Sequence, residues 1–394
     1  MAAGHCQIEV ARGGKRRYVD VMTLLTAQNV DLQKLTAGSR LRRLQPRSGI
    51  DFSSNDYLGL AAAPRLRRAV AAALDRGISI GSGGSRLLRG NDPEHEALEA
   101  EAAAFFGSET ALFFSSGYAA NATLLSTLPQ RGDLIVHDEL VHASAHEGMR
   151  LSRAAHVSTP HNDASAVADA IAGWRRDGGV GRPWIAVESL YSMDGDRAPL
   201  ADLASVADRH EAMLLIDEAH ATGVFGDRCR GLAAELEGRE NVITLRTCGK
   251  ALGCEGALLC GPRIARDFIV NRGRGFIFST APSPLIASAV RESLRILQDE
   301  PERRAQLAGL IAHAETTLGH CGAPATGSQI IPIVIGEDAA TMRAATALQA
   351  AGFDVRGIRP PTVKPGTARL RIALTLNITA QDMDALALVL AERS

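Results

Sequence analysis

Two short stretches of this 394-residue chain end apolar runs on groups that could do chemistry. In "EAMLLIDEAHATGVFG" (211–226) the run stops at Asp217, Glu218 and His220, just before Gly223 and Gly226. In "VITLRTCGKALG" (242–253) a β-branched run stops at Thr247, and Lys250 follows between glycines. An acid after a strand most often caps the next helix, so Asp217 by itself says little. An acid and an amine offered by two strand ends say more. One chemistry they suggest is nucleotide hydrolysis, with "LLIDEAH" as the magnesium-binding strand. That requires a G-x-x-x-x-G-K-[ST] loop whose amides and lysine hold the phosphates. Lys250 has Thr244 and Ala251 in the required places, and Lys15 has Glu9 and Arg16. The ATPase reading is left without its phosphate loop.

The second chemistry joins Asp217 to Lys250. A lysine that forms a Schiff base with pyridoxal phosphate needs an acid on the pyridine nitrogen, which keeps the ring protonated and able to absorb carbanion charge. His220, three residues beyond Asp217, suits the ring hydroxyl, and Thr247, three before Lys250, suits the phosphate. The stretch "FFSSGYAAN" (113–121) supplies a strand, a small-residue turn with Ser116 and Gly117, and a helix start, which together make an anion cradle of backbone amides. His142 in "HDELVHASAHEG" is the candidate to stack on the ring. His137 and His146 compete for that role, and position relative to the other motifs selects His142.

These side chains need a scaffold, and the chain's periodicity predicts one. From about residue 95, short runs rich in Val, Ile, Leu and Phe recur at 110–116, 133–138, 156–160, 184–189, 212–217, 242–247 and 256–261. Segments with helical spacing, such as "PLADLASVADRHE" (199–211), separate most of them. That alternation implies a largely parallel sheet covered on both faces, with ligands outside the carboxyl ends of its strands. Ser116, Gly117, Asp138, Glu188, Asp217, Thr247 and Lys250 all fall at or just past such ends. After about residue 290 a long helical stretch (286–318) leads to strand-like runs at 329–336, 353–358 and 369–375, with helices near 338–351 and 380–393. The expected organisation is a basic N-terminal helical segment poor in strands (1–50), a large domain (51–290) and a small α+β domain (291–394). With no linker between them, the last two should share an interface.

Composition narrows the setting. The charges nearly cancel, at 43 Lys+Arg against 44 Asp+Glu, and 46% of residues are hydrophobic. Neither nucleic acid nor an anionic membrane is indicated as a partner. Six cysteines, at 6, 229, 248, 254, 260 and 321, show no C-x-x-C pair and no zinc spacing, and read as reduced thiols of a cytoplasmic protein. No run approaches the ~20 apolar residues that span a bilayer.

The motifs, in their order, resemble those of the α-oxoamine synthases, fold-type-I pyridoxal phosphate enzymes that join an amino acid to an acyl thioester with loss of CO2. The resemblance rests on "FSSNDYLGL" (52–60), "GSGGSRLLRGNDPEHEALE" (81–99), "SSGYAAN", "HDELVHAS", "ESLYSMDGD" (188–196), "IDEAHATGVFG", "TCGKALG", "FSTAPSP" (278–284) and "IRPPTVKPGTARLRI" (358–372). It implies a PLP-dependent transferase fold of type I: a mainly parallel seven-stranded sheet in the large domain and a smaller α+β C-terminal domain. "SSNDYLGL" with "RPPTVKPGTARLR" is most similar to the branch that condenses L-alanine with a pimeloyl thioester, carried on coenzyme A or a carrier protein, in biotin synthesis. A branch using glycine or serine with another thioester is the alternative.

Position by position, the resemblance makes Lys250 the Schiff-base lysine and general base, Asp217 the partner of the ring nitrogen and His142 the residue over the ring. Ser192 and His220 would lie near the ring hydroxyl. Ser116, Gly117, Tyr118 and Thr247 would hold the phosphate, with Thr280 reaching it from the second subunit of a homodimer with shared sites. Asn55, Arg359 and Arg371 would face the substrate carboxylate. Cys248 and the stretch "GCEGALL" (253–259), with Glu255, depart from the family's usual residues. Arg86 and Arg40, Arg42 and Arg43 have solvated-surface explanations and receive no role.

Overall fold

The computed structural model describes residues 7–12, 15–20 and 24–392, the first two stretches as strand backbone only. Its centre is a seven-stranded sheet in the order Thr110–Phe114, Ala257–Gly261, Val242–Thr247, Met213–Asp217, Pro183–Glu188, Leu134–Asp138, Ala155–Thr159. Strand Ala257–Gly261 is antiparallel to both neighbours, and the other strands run one way. The interior strands are continuous apolar runs because helices cover both faces. The end strand Ala155–Thr159 is exposed along most of its length. Register matters most for chemistry: Glu188 lies opposite Asp217, and Asp217 opposite Leu245. Asp138, Glu188, Asp217 and Thr247 therefore finish their strands at one rim of the sheet.

A second, three-stranded antiparallel sheet is formed by Ile330–Gly336, Ala368–Ala373 and Arg356–Ile358. Helices Glu302–Gly319, Asp338–Ala350 and Ala380–Ala391 accompany it. The chain's beginning joins its end here. Ile50–Asp51 pairs in parallel with Phe353–Asp354, the Ala373 amide donates to Phe52 O at 2.9 Å, and the Leu376 amide donates to Tyr57 O at 3.0 Å. One buried cluster holds Phe52, Leu98, Phe113, Val290, Leu307, Leu370 and Leu386, so a continuous core ties the two sheets together. Among the described residues no helix is long and apolar enough to cross a membrane.

Three local expectations are corrected. The segment 1–50 is not helical throughout: an antiparallel hairpin, Gln7–Arg12 with Lys15–Asp20, precedes helix Thr26–Ala37. Its signal was Gly13-Gly14 between two runs containing Ile, Val and Tyr, a two-residue hairpin pattern. Cys6 and Gly14 lie outside the described residues. The single helix expected over 286–318 is two, Pro284–Asp299 and Glu302–Gly319, because Pro301 lacks the amide a continuing helix needs. The run at 353–358 is likewise two short strands, which pair with different partners.

Candidate active site

At the rim of the central sheet, Asp217 accepts from the Ala219 amide at 2.9 Å through one carboxylate oxygen and from Asn121 Nδ2 at 2.8 Å through the other. On the neighbouring strand, Lys250 follows the turn after Thr247. Its Nζ lies 2.8 Å from His220 Nε2, and His220 Nδ1 lies 2.6 Å from the Tyr57 hydroxyl oxygen. Tyr57 donates to Asn55 Oδ1 at 2.9 Å, and Arg371 Nη2 donates to the same oxygen at 3.1 Å. With Tyr57's one hydrogen used on Asn55, His220 Nδ1 carries the imidazole proton and Nε2 accepts from Lys250. The chain runs unbroken from amine to guanidinium.

Its electrostatics suit an amine nucleophile. Packing out of water pushes the Lys250 pKa down to about 8; Asp217 and Glu188 oppose that shift, and the like charge of Arg371 adds to it. His220 is buried, and loss of solvent together with Lys250, Arg371 and His142 holds its pKa well below the ordinary value, so it is neutral. Burial raises the Tyr57 pKa, which keeps the phenol protonated.

The strand, small-residue turn and helix start expected at 113–121 are present. Ser116 caps helix Gly117–Thr127: its Oγ accepts from the Ala119 amide at 3.1 Å and its carbonyl from the Ala120 amide at 3.0 Å. The Gly117 and Tyr118 amides are left without helical acceptors, as first-turn amides are. Gly117 packs so closely on the Thr247 strand that a Cβ there would come 2.6 Å from Thr247 Cγ2. Tyr118 is exposed and packs edge-on to His142, with ring centroids 6.4 Å apart. Ser192 belongs to the turn 189–196, and its carbonyl accepts from Arg371 Nε at 2.7 Å. Amine, paired carboxylate, neutral histidine and an amide cradle at a glycine are what pyridoxal phosphate requires, and the residues fit it.

The structure does not bring Arg359 into this network. It is buried against Met342 and the Arg40 carbonyl, and burial together with Arg42 lowers its pKa. Thr280 is exposed on the loop that follows helix Arg274–Ile277. Arg86, read as a surface charge, is instead inside. It pairs with Glu99 through two bonds, at 2.7 and 3.1 Å, and lies 5.8 Å from the Phe276 ring centroid.

Sequence reasoning missed Tyr57, Asn121 and Glu188 as members of the site. Glu188 is buried beside Asp217, and lost solvation and that neighbouring charge push its pKa well up. It also missed what fixes the Ser192 turn. Arg369 pairs with Asp194, and His161 bridges Asp138 at 3.0 Å and Asp196 at 2.7 Å. Burial works against the His161 charge, but the two acids prevail and raise its pKa to about 10. Spacing alone carried no signal for these pairs.

The fold and this rim define a chain of the pyridoxal-phosphate transferase class: it belongs to the aminotransferase class I and II family, matched over residues 47–390. The relatives narrow that class to the α-oxoamine synthase resemblance. An 8-amino-7-oxononanoate synthase from Anaeromyxobacter dehalogenans is 42% identical over 377 residues, covering 92% of this chain and 94% of its own. One from Chromobacterium violaceum is 43% identical over 345 residues, covering 86% and 88%. Among solved structures, serine palmitoyltransferase from S. paucimobilis with bound PLP-myriocin aldimine superimposes with a TM-score of 0.85 at 25% identity, covering 94% and 98%. An 8-amino-7-oxononanoate synthase from Francisella tularensis gives a TM-score of 0.74 at 28% identity, covering 88% and 97%.

Proposed function

We propose that this chain is a pyridoxal phosphate-dependent acyltransferase that condenses L-alanine with a pimeloyl thioester, giving 8-amino-7-oxononanoate, CO2 and the free thiol. The observation that carries the reading is the hydrogen-bonded line from Lys250 through His220, Tyr57 and Asn55 to Arg371, with the Asp217 charge acting on Lys250. The names of the relatives supply the choice of alanine and the pimeloyl group.

When bound, pyridoxal phosphate supplies an electron sink that lets the amino acid's α-carbon give up its proton and attack the thioester carbonyl. The chain's residues do the rest. Lys250 would hold the cofactor at its aldehyde, and its free amine would take the α-proton on Nζ. Asp217, bonded to Asn121 and the Ala219 amide, would pair with the ring nitrogen. Gly117, Tyr118, Ser116 and Thr247 would hold the phosphate, Ser192 and His220 would lie by the ring hydroxyl, and His142 would cover the ring. Arg371, steadied by Asn55, binds the alanine carboxylate until it leaves as CO2; a planar guanidinium fits a carboxylate better than an ammonium does. Arg359, apart from Asn55, takes no share in that carboxylate.

The unit is a homodimer with shared sites. Ile80, Leu88 and Phe278 are 74%, 83% and 71% exposed, a large apolar area on two neighbouring loops. Those loops are sewn together by the Ala281 amide on Gly84 O and by Ser82 Oγ on Ala281 O, both at 2.9 Å. A second copy covering this patch would receive Thr280 at its phosphate cradle.

The test begins with the purified protein, whose yellow colour should vanish on borohydride treatment and whose spectrum should respond to L-alanine and not to ATP. Lys250→Ala should abolish both the colour and the condensation. Full turnover by that variant would end the proposal. A matrix of amino acids and acyl thioesters then fixes the substrates.

A further inference from the structure

Asn121 is buried beside Asp217, and both of its amide hydrogens are used. Nδ2 donates to Asp217 Oδ2 at 2.8 Å and to Ser144 Oγ at 3.1 Å. A carboxylate only accepts, so it is the amide nitrogen that faces Asp217, and the orientation of Asn121 is settled by its partner. Ser144 Oγ, already an acceptor, keeps one hydrogen, and His142 Nδ1 lies 2.8 Å away. The Ser144 backbone amide also donates to that nitrogen, at 3.2 Å, because His142 is the N-cap of helix Ala143–Leu151 and caps it with its ring.

Two donors thus converge on Nδ1, which must carry the lone pair. The proton of the neutral ring sits on Nε2. Protonating Nδ1 would break the bond from the Ser144 backbone amide, reverse the one with Ser144 Oγ, and set a cation at the positive end of a helix. Crowding by protein lowers the His142 pKa further; Asp217 opposes and Lys250 assists. The ring itself is exposed, and among the described residues no hydrogen-bond partner takes Nε2. One end of the line is the acid expected to hold the ring nitrogen, and the other is the histidine expected over the ring.

We propose that Asn121 and Ser144 are positioning residues that lock His142 as its Nε2–H tautomer, so that it presents a hydrogen-bond donor to the carbonyl oxygen of the incoming acyl thioester. The identity of that acceptor rests on the function proposed above. The tautomer does not.

The experiment uses holoenzyme labelled with 15N-histidine, with the His142 signals assigned by their loss in His142→Asn. From about pH 6 to about pH 9 the wild-type ring should show protonated Nε2 and unprotonated Nδ1. Ser144→Ala should turn this into a tautomer mixture, with cofactor colour retained, and Asn121→Ala serves if that variant fails to fold. In turnover, Ser144→Ala should lower kcat by ~10–100-fold while the KM for L-alanine stays within about twofold. A wild-type ring protonated on Nδ1, or His142 signals unmoved in a folded Ser144→Ala protein, would overturn the assignment. A wild-type Nε2–H signal in a protein that never condenses alanine with pimeloyl thioesters would support the tautomer and remove its proposed acceptor.

Discussion

Lys250 offers the sharpest test of the site's electrostatics. Its pKa is pushed from 10.5 to about 8, first by loss of solvent and then by Arg371, against the pull of Asp217 and Glu188. Only the neutral amine attacks an aldehyde. At pH 7 a lysine of pKa about 8 is roughly one-tenth neutral, against about one part in 3,000 at 10.5, a ~300-fold gain in reactive amine. Capture of pyridoxal phosphate by apoprotein, followed by stopped-flow absorbance, should rise about tenfold per pH unit and level off above about pH 8. The neighbours give the direction of two controls. Asp217→Asn removes the charge that holds the proton on, so the plateau should begin at lower pH. Arg371→Gln removes a repelling cation, so it should begin at higher pH. A wild-type profile still climbing steeply past about pH 9, or plateaus moving the opposite way in the two variants, would refute this account of the amine. The same shift has a linkage consequence: the unfolded chain holds more protons than the native apoprotein between about pH 8 and 10.5, so apoprotein stability should increase with pH across that window as this contribution is relieved.

Three further outcomes are expected. Gly117→Ala places a methyl 2.6 Å from Thr247 Cγ2 and should weaken cofactor binding by about tenfold or more without unfolding the protein, read by titrating apoprotein with pyridoxal phosphate; unchanged affinity would take the cradle away from this turn. Arg246 is fully buried, paired with Glu237 and 3.9 Å from Glu218, so Glu237→Ala should cost about 3–5 kcal/mol in urea denaturation, and a loss under ~1 kcal/mol would contradict the pairing. Phe278→Asp, aimed at the exposed apolar patch, should shift the sedimenting species towards monomer and lower activity in step; a fully active monomer would exclude shared sites.

The sequence reading located the rim because consecutive strands tend to be neighbours in a sheet. The runs ending at Asp217 and Thr247 pair directly, which sets the acid and the lysine's turn side by side. What it missed depends on contacts between segments that periodicity does not relate. Tyr57 reaches the site because the Ile50–Asp51 strand docks beside Phe353–Asp354, and nothing in "SSNDYLGL" encodes that address for the phenol. Asn121 sits on a helix whose small residues signalled a phosphate cradle, while its own side chain faces Asp217 across the rim. Arg359 and Arg371 looked equivalent because both are arginines of one motif. The fold separates them: Arg371 lies in a central strand of its sheet, while Arg359 follows the short strand Arg356–Ile358 and turns towards Met342.

The docking of the early strand Ile50–Asp51 beside Phe353–Asp354 also sets when a nascent molecule becomes competent. Asn55 leaves the ribosome early, yet its partner Arg371 follows 316 positions later. Lys250 and Asp217 can gather on their sheet well before then, but the Asn55–Arg371 pair, proposed to hold an amino acid's carboxylate, is complete only once the strand Ala368–Ala373 has emerged. A chain cut short before that strand would thus keep most of the rim and lack the pair.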